Sequence, residues 1–147
     1  MKKLLYALGA FFLITVAAVV AFVALAYTGA KFDKESKEFV DTAVPAIAES
    51  WDQRQLLDRA TPELGSSTTP ANLASFFQNL SRLGSLVNYE GATGQATLSY
   101  MIGSGARVSA SYVAKARFQN GSAAFRIALV RRDGHWMING FHVDPAR

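Results

Sequence analysis

The stretch VAKARFQNGSAAFRIALVRRDGHWMING, residues 113–140, decides the fold. Apolar and polar residues alternate through it, and Asn120-Gly121 and Asp133-Gly134 punctuate it at hairpin spacing. Both dipeptides favour the left-handed backbone of a tight two-residue turn, so the stretch reads as three antiparallel strands in a meander. With turns at 120–121 and 133–134, Ala116 is expected opposite Phe125, Tyr112 opposite Leu129, and Leu129 opposite Ile138. One face then carries Tyr112, Ala114, Ala116, Phe125, Ile127, Leu129, Trp136 and Ile138, which makes it the core face. The other carries Val113, Lys115, Arg117, Arg126, Ala128, Val130, Arg132, Met137 and Asn139. Gly140 interrupts the alternation and reads as a bulge that turns Phe141 and Val143 inward.

Working outward, strands are expected at about 85–91, 94–102, 107–119, 122–132 and 135–143. Gly103-Ser104-Gly105 is read as a strand connection rather than a phosphate loop, because no helix follows it. Upstream of Ser85 the period changes from 2 to 3.6. Val40, Val44, Ile47 and Trp51 share one helical face, with Pro45 expected to kink or split that helix. Leu56 and Leu57 suggest a short second helix ending near Thr61-Pro62. Thr69-Pro70 opens a third helix with an apolar stripe of Leu73, Phe76, Phe77, Leu80 and Leu83, and Gly84 stops it. Helices followed by an antiparallel meander define an α+β domain, with the helices packed on one face of a curved sheet.

Further upstream, the 27 residues Leu4–Ala30 contain no charge, and Lys2 and Lys3 precede them. A helix needs roughly 20 apolar residues to cross a bilayer, so the run reads as a transmembrane segment. Two readings compete for it. Ala24-Leu25-Ala26 and Thr28-Gly29-Ala30 resemble signal-peptide cleavage sites, but the apolar core is longer than the about 7–15 residues of a typical signal peptide. An uncleaved single-pass signal anchor is the expectation: a cytoplasmic tail at 1–3, the span at 4–28, a linker at 29–35 and the domain at 36–147. Lysines flank the run on both sides, with Lys31, Lys34 and Lys37 beyond it. The very short N-terminal tail is the easier end to leave in the cytoplasm, which places the domain in the periplasm or outside the cell, on a bacterial inner membrane. Gly9-Ala10-Phe11-Phe12-Leu13-Ile14 resembles a type IV prepilin processing site, although Ile14 stands where that family carries a glutamate. A pilin-like subunit is thus a minor alternative.

Cysteine is absent, so neither disulfides nor thiolate metal sites support the fold. Asn79-Leu80-Ser81 and Asn120-Gly121-Ser122 match glycosylation sequons, but a helix and a tight turn make both chance matches. Charge is divided along the domain. Residues 31–85 hold six Lys/Arg against eight Asp/Glu, whereas residues 86–147 hold seven against three. The basic excess falls on the outer sheet face, where Lys115 is expected directly across from Arg126. Like charges in that position destabilise a sheet slightly, and splaying into solvent is the simplest relief.

Three helices before a long meander resemble the cystatin-like cone of the nuclear-transport-factor and ketosteroid-isomerase superfamily. The closing segment Arg132-Asp133-Gly134-His135-Trp136-Met137-Ile138-Asn139-Gly140-Phe141 resembles the last hairpin of such domains. The resemblance covers residues 36–145 and implies a concave pocket; function does not follow from it, since enzymes and binding modules share the cone. Similar cones occur in bitopic inner-membrane subunits of secretion machines.

Enzymes with this cone place a carboxylate or histidine in the pocket. Here the register puts His142 on the core face opposite Phe125, unless the bulge at Gly140 rotates it outward. Tyr112, Tyr100 and Trp136 complete the candidate pocket, with Asp144 nearby. One ionisable group does not make a catalytic set, so no catalysis is expected. His135 and His142 make no metal site, and no cofactor is implied. The expected function is a membrane-anchored binding or assembly module. Its interface candidates are Lys115, Arg117, Arg126, Val130, Arg132 and Met137, on an outer face that takes a protein partner or a second copy. Nucleic acid is not an expected partner, because the domain's small positive charge is too weak for phosphate binding.

Overall fold

The computed structural model describes residues 1–146. Helix α1 spans Lys2–Ser50, followed by α2 (Gln53–Leu57), α3 (Pro62–Ser66), α4 (Pro70–Leu80) and a 3₁₀ turn at Ser81–Leu83. Strands β1 (Leu86–Met101), β2 (Gly105–Phe118), β3 (Gly121–Arg132) and β4 (His135–Ala146) form one antiparallel meander in the order β1-β2-β3-β4. The class is α+β, with a long N-terminal apolar helix and a curved, open sheet. The chain divides into two units, Met1–Phe32 and Asp33–Arg147.

In the first unit nearly every side chain is exposed, and the helix reaches a mean hydropathy of 2.7, long and apolar enough to cross a membrane. Its two threonines need no outside partner for their hydroxyl protons: Thr15 donates to the Phe11 carbonyl and Thr28 to the Ala24 carbonyl, each at 2.8 Å. Such back-bonding is how hydroxyls are tolerated where water is absent.

In the second unit, the α1 residues Val40, Val44, Ile47 and Ala48 are fully buried against the core face of the sheet, with Leu73, Phe77 and Leu80 of α4 in the same core. Pro45 does not split α1, which continues past it to Ser50. A proline inside a helix costs about 3 kcal/mol, and here it stands between the buried anchors Val44 and Ile47, whose packing holds the next turn in place. Trp51 ends the helix at φ 48°, a left-handed backbone rare for so large a residue. That conformation turns its ring toward the core, stacked 6.3 Å from Phe125 and tilted against Phe118 at 5.3 Å.

The sheet keeps the expected faces but not every expected register. Asp133 (φ 51°) and Gly134 (φ 78°) form the left-handed pair of a type I′ turn, and Leu129 faces Ile138 as the sequence predicts. The β2–β3 turn lies one residue earlier than expected, at Gln119-Asn120, because Phe118 pairs with Gly121. Asn120 is held there by the carbonyls of Leu83 (from its backbone N–H, 2.9 Å) and Arg82 (from its side-chain amide, 3.0 Å). Ala116 therefore faces Ala123 rather than Phe125, and Tyr112 faces Ile127 rather than Leu129. The slip is an even number of positions, so inward residues stay inward. Tyr112, Ala114, Ala116, Phe125, Ile127, Leu129 and Ile138 are all buried, and Trp136 is half-buried.

Two further expectations are corrected. Residues 86–101 are one strand, not two: Gly91 and Gly94 lie within β1, with register shifts at Leu86/Asn88 and Tyr89/Gly91 absorbing the irregularity as bulges that bend the sheet. At the other edge, Asn139 is the extra residue of a bulge between the Leu129↔Ile138 and Ala128↔Gly140 pairs. Beyond it Phe141 and Val143 face Ile127 and Phe125 on the inner side, as expected from Gly140. The β4 edge is closed at Ile138, which donates to the Arg59 carbonyl at 2.7 Å and accepts from the Thr61 N–H at 2.8 Å.

Candidate functional site

The four candidate pocket residues do not converge. The bulge that turns Phe141 and Val143 inward turns His142 outward, so it faces Arg126 rather than Phe125 and is exposed. There its Nε2 lies 2.9 Å from an Asp144 carboxylate oxygen, and the other oxygen of Asp144 lies 2.9 Å from Arg126. Burial pushes the Asp144 carboxyl up, but the bonds from Arg126 and His142 outweigh it and hold the group below the usual carboxylate value. Tyr112 is a core residue whose hydroxyl bonds to Ser36 (2.8 Å) and the Asp33 carbonyl (3.0 Å). Tyr100 is 75 % exposed near the tip of the β1–β2 hairpin. Trp136 lines a shallow recess with Phe39 and His135. Among the described residues no three His, Cys, Asp or Glu groups gather as a metal site.

The interface candidates divide between two parts of the outer face. Near the β3–β4 turn, Val130 pairs with Met137 and both are half-buried; Met137 lines a recess with Arg59 and Pro62. Arg132 is bound there by both Glu63 carboxylate oxygens at 2.9 Å. That bond holds Glu63 below its ordinary range and raises Arg132 above its own. This corner is thus already partly satisfied by the chain itself. The centre of the face differs: Val113 is 40 % exposed, and Lys115, Arg117, Arg126 and Ala128 are exposed around it. The expected clash of Lys115 with Arg126 does not arise, because the shifted turn sets Lys115 opposite Ala124 and Arg126 opposite Val113. Arg126 is neutralised by Asp144, whereas Lys115 and Arg117 make no ion pair among the described residues. From Gly91 to Arg132 the sequence has no acidic residue, which leaves the middle of the sheet basic.

Around Val113, the outward positions Ser109, Ser111, Thr93, Gln95, Ala124 and Ala128 are small or uncharged. A patch of mostly small or uncharged side chains with one apolar centre and two unneutralised cations can accept a complementary surface. A second feature is a cleft of about 270 Å³ whose walls include Leu56, Leu64, Leu73, Phe76 and Phe141. Sequence reasoning placed Phe141 inward but gave no reason to expect a cleft under α2–α4, since its shape depends on how three short helices meet.

Comparison with known proteins finds no family model, no curated protein and no solved structure that matches this chain.

Proposed function

We propose that this chain is a single-pass membrane-anchored binding or assembly module, with a cystatin-like cone domain that receives an acidic protein partner on the outer sheet face. The observation that carries the reading is the asymmetry of the sheet. Its core face is filled by α1 and α4, while its outer face presents Val113 with Lys115 and Arg117 unneutralised beside it. The span at 4–28 is the anchor, Lys2 and Lys3 lie on its cytoplasmic side, and the domain lies in the periplasm of a bacterial inner membrane. Tethering raises the effective concentration of the domain near other membrane proteins, so a modest interface suffices. The basic side chains set encounter rate and salt dependence, and the apolar centre sets residence time.

Two measurements test this. Protease added to intact spheroplasts digests the domain if it faces the periplasm; full protection overturns the orientation. Co-purification from membranes, comparing wild type with Lys115→Glu/Arg117→Glu and with Val113→Asp, reports on the face. Loss of a specific acidic protein in the variants supports the proposal. Loss of self-association instead identifies a second copy as the occupant, and an unchanged set of partners removes this face from consideration.

A further inference from the structure

We infer that the tip of the β1–β2 hairpin, Tyr100-Met101-Ile102, sits in the headgroup region of the bilayer that holds the apolar segment; the inference rests on the membrane-anchored reading above. Its first support is shape. Strand β3 pairs with β2 only as far as Val108, yet β1 and β2 stay paired to Met101↔Gly105, so residues 99–107 project as a two-stranded ribbon beyond the sheet. An isolated two-stranded ribbon is marginal in water and calls for something packed against it. Its tip bears large apolar groups that the chain leaves uncovered: Tyr100 is 75 %, Met101 51 % and Ile102 109 % exposed.

Direction supplies the second support. Along the sheet, Asp41 of α1 accepts a bond from the Tyr89 hydroxyl (2.7 Å), and Asp33 accepts one from the Ala96 backbone N–H (2.6 Å). Helix numbers therefore fall as β1 numbers rise, and the hairpin tip points toward the end of the domain where the chain leaves for the apolar run. That run ends at Ala30, three residues before Asp33, a tether of at most about 11 Å even when fully extended. From Ala96 the strand advances roughly 17 Å to Met101 at about 3.3 Å per residue. The tip can therefore reach the membrane surface from which its own tether emerges.

Chemistry supplies the third. The tip is Ser99-Tyr100-Met101-Ile102-Gly103-Ser104-Gly105-Ala106-Arg107, with one charge, at its base, and no acid. A tyrosine beside apolar residues suits the bilayer interface, and an arginine behind them suits anionic headgroups. Nothing charged has to enter the lipid.

The absence of native cysteine makes the test direct. Full-length protein with Ile102→Cys, labelled with an environment-sensitive fluorophore, is reconstituted in vesicles of zwitterionic and anionic phospholipid. Ser122→Cys at the opposite end of the sheet and Phe12→Cys within the apolar run are labelled in parallel. The inference expects the Ile102→Cys label to resist aqueous iodide and to be quenched by a shallow lipid-borne nitroxide, with the Ser122→Cys label doing the reverse. An iodide-quenched Ile102→Cys label overturns it. So does a label quenched by neither agent, which would mean that protein covers the tip. The Phe12→Cys label separates the two claims: lipid quenching there with none at Ile102→Cys leaves the anchor standing and removes only the hairpin contact, whereas iodide quenching at Phe12→Cys removes the anchor itself.

Discussion

The hydroxyls of Ser36 and Tyr112 lie 2.8 Å apart in the core, joining α1 to the middle of the sheet across 76 positions of sequence. Ser36 is fully buried and Tyr112 nearly so, and both also reach the Asp33 carbonyl, at 3.2 Å and 3.0 Å. A buried hydroxyl without a partner costs about 1–3 kcal/mol, so this small network fixes where along the sheet the helix sits. Tyr112→Phe removes two bonds and is expected to cost about 1–3 kcal/mol. Ser36→Ala leaves the tyrosine its Asp33 partner and should cost about 0.5–1.5 kcal/mol. Thermal or denaturant unfolding of the two variants checks the order. A larger loss for Ser36→Ala would show that the serine, not the tyrosine, organises the contact.

A second helix-to-sheet tie makes stability depend on pH at both extremes. Burial pushes the Asp41 carboxyl up, but the bonds from Lys37 (2.6 Å) and Tyr89 (2.7 Å) outweigh it and leave the group below its usual 3.8. A depressed carboxyl contributes stability above the unfolded value, and the contribution is lost as pH falls below about 3.8 through the folded value. Tyr89 is shifted the other way, first by burial and then by the Asp41 carboxylate, to well above its usual 10. Its contribution is complete below pH 10 and is lost as pH rises beyond it. Asp41→Asn is expected to cost about 1 kcal/mol at neutral pH, after allowance for its partial exposure. Unfolding of wild type and variant across the acid range should show the two curves converging below the carboxylate range. Parallel curves there would contradict the assignment.

Core substitutions should separate the fully buried aromatics from the half-buried one. Phe125 is 0 % and Phe77 3 % exposed, and both pack against Trp51. Truncating either to alanine leaves a cavity and is expected to cost about 3–5 kcal/mol. Trp136 borders an open recess, so Trp136→Ala should cost less than either. Chemical denaturation of the three variants measures the difference directly.

The strand faces were legible because burial on one side of a sheet enforces a period of two, and Asp133-Gly134 supplied its left-handed turn locally. Asn120-Gly121 misled by one residue, because Asn120 answers to the carbonyls of Arg82 and Leu83, distant in sequence. His142 takes the outward of its two expected placements for a related reason. One extra residue at Asn139 inverts every later position, so the signal that turns Phe141 inward necessarily turns His142 out. The basic outer face was visible in the alternation, but its division was not: only the folded chain brings Glu63 to Arg132 and Asp144 to Arg126 while leaving Lys115 and Arg117 apart. The hairpin tip was missed altogether, since Tyr100 at an inward position reads as core until β3 is seen to stop pairing with β2 at Val108.

Gly94 yields the last prediction, because β1 and β2 approach each other closely there. It sits within β1 opposite Tyr112, and a side chain there would collide with the Ser111 carbonyl oxygen and lie 2.8 Å from the Tyr112 Cα. The Tyr112 ring Cδ1 also lies 2.8 Å away, but moving that ring would not relieve the clash, because the nearest obstacles are backbone atoms of β2. Gly94→Ala must therefore push β1 away from β2 or twist it, at an expected cost of about 1–3 kcal/mol. Gly140 is the comparison. Its added Cβ would come within 3.2 Å of the Ala128 Cβ alone, so Gly140→Ala should be milder. Amide hydrogen exchange locates the damage. Gly94→Ala should release protection in β1 around residues 92–96, where the Ala96 N–H is bonded to Asp33, while β3 and β4 stay protected. Protection unchanged in β1 would mean that the close approach of the two strands is not maintained in solution.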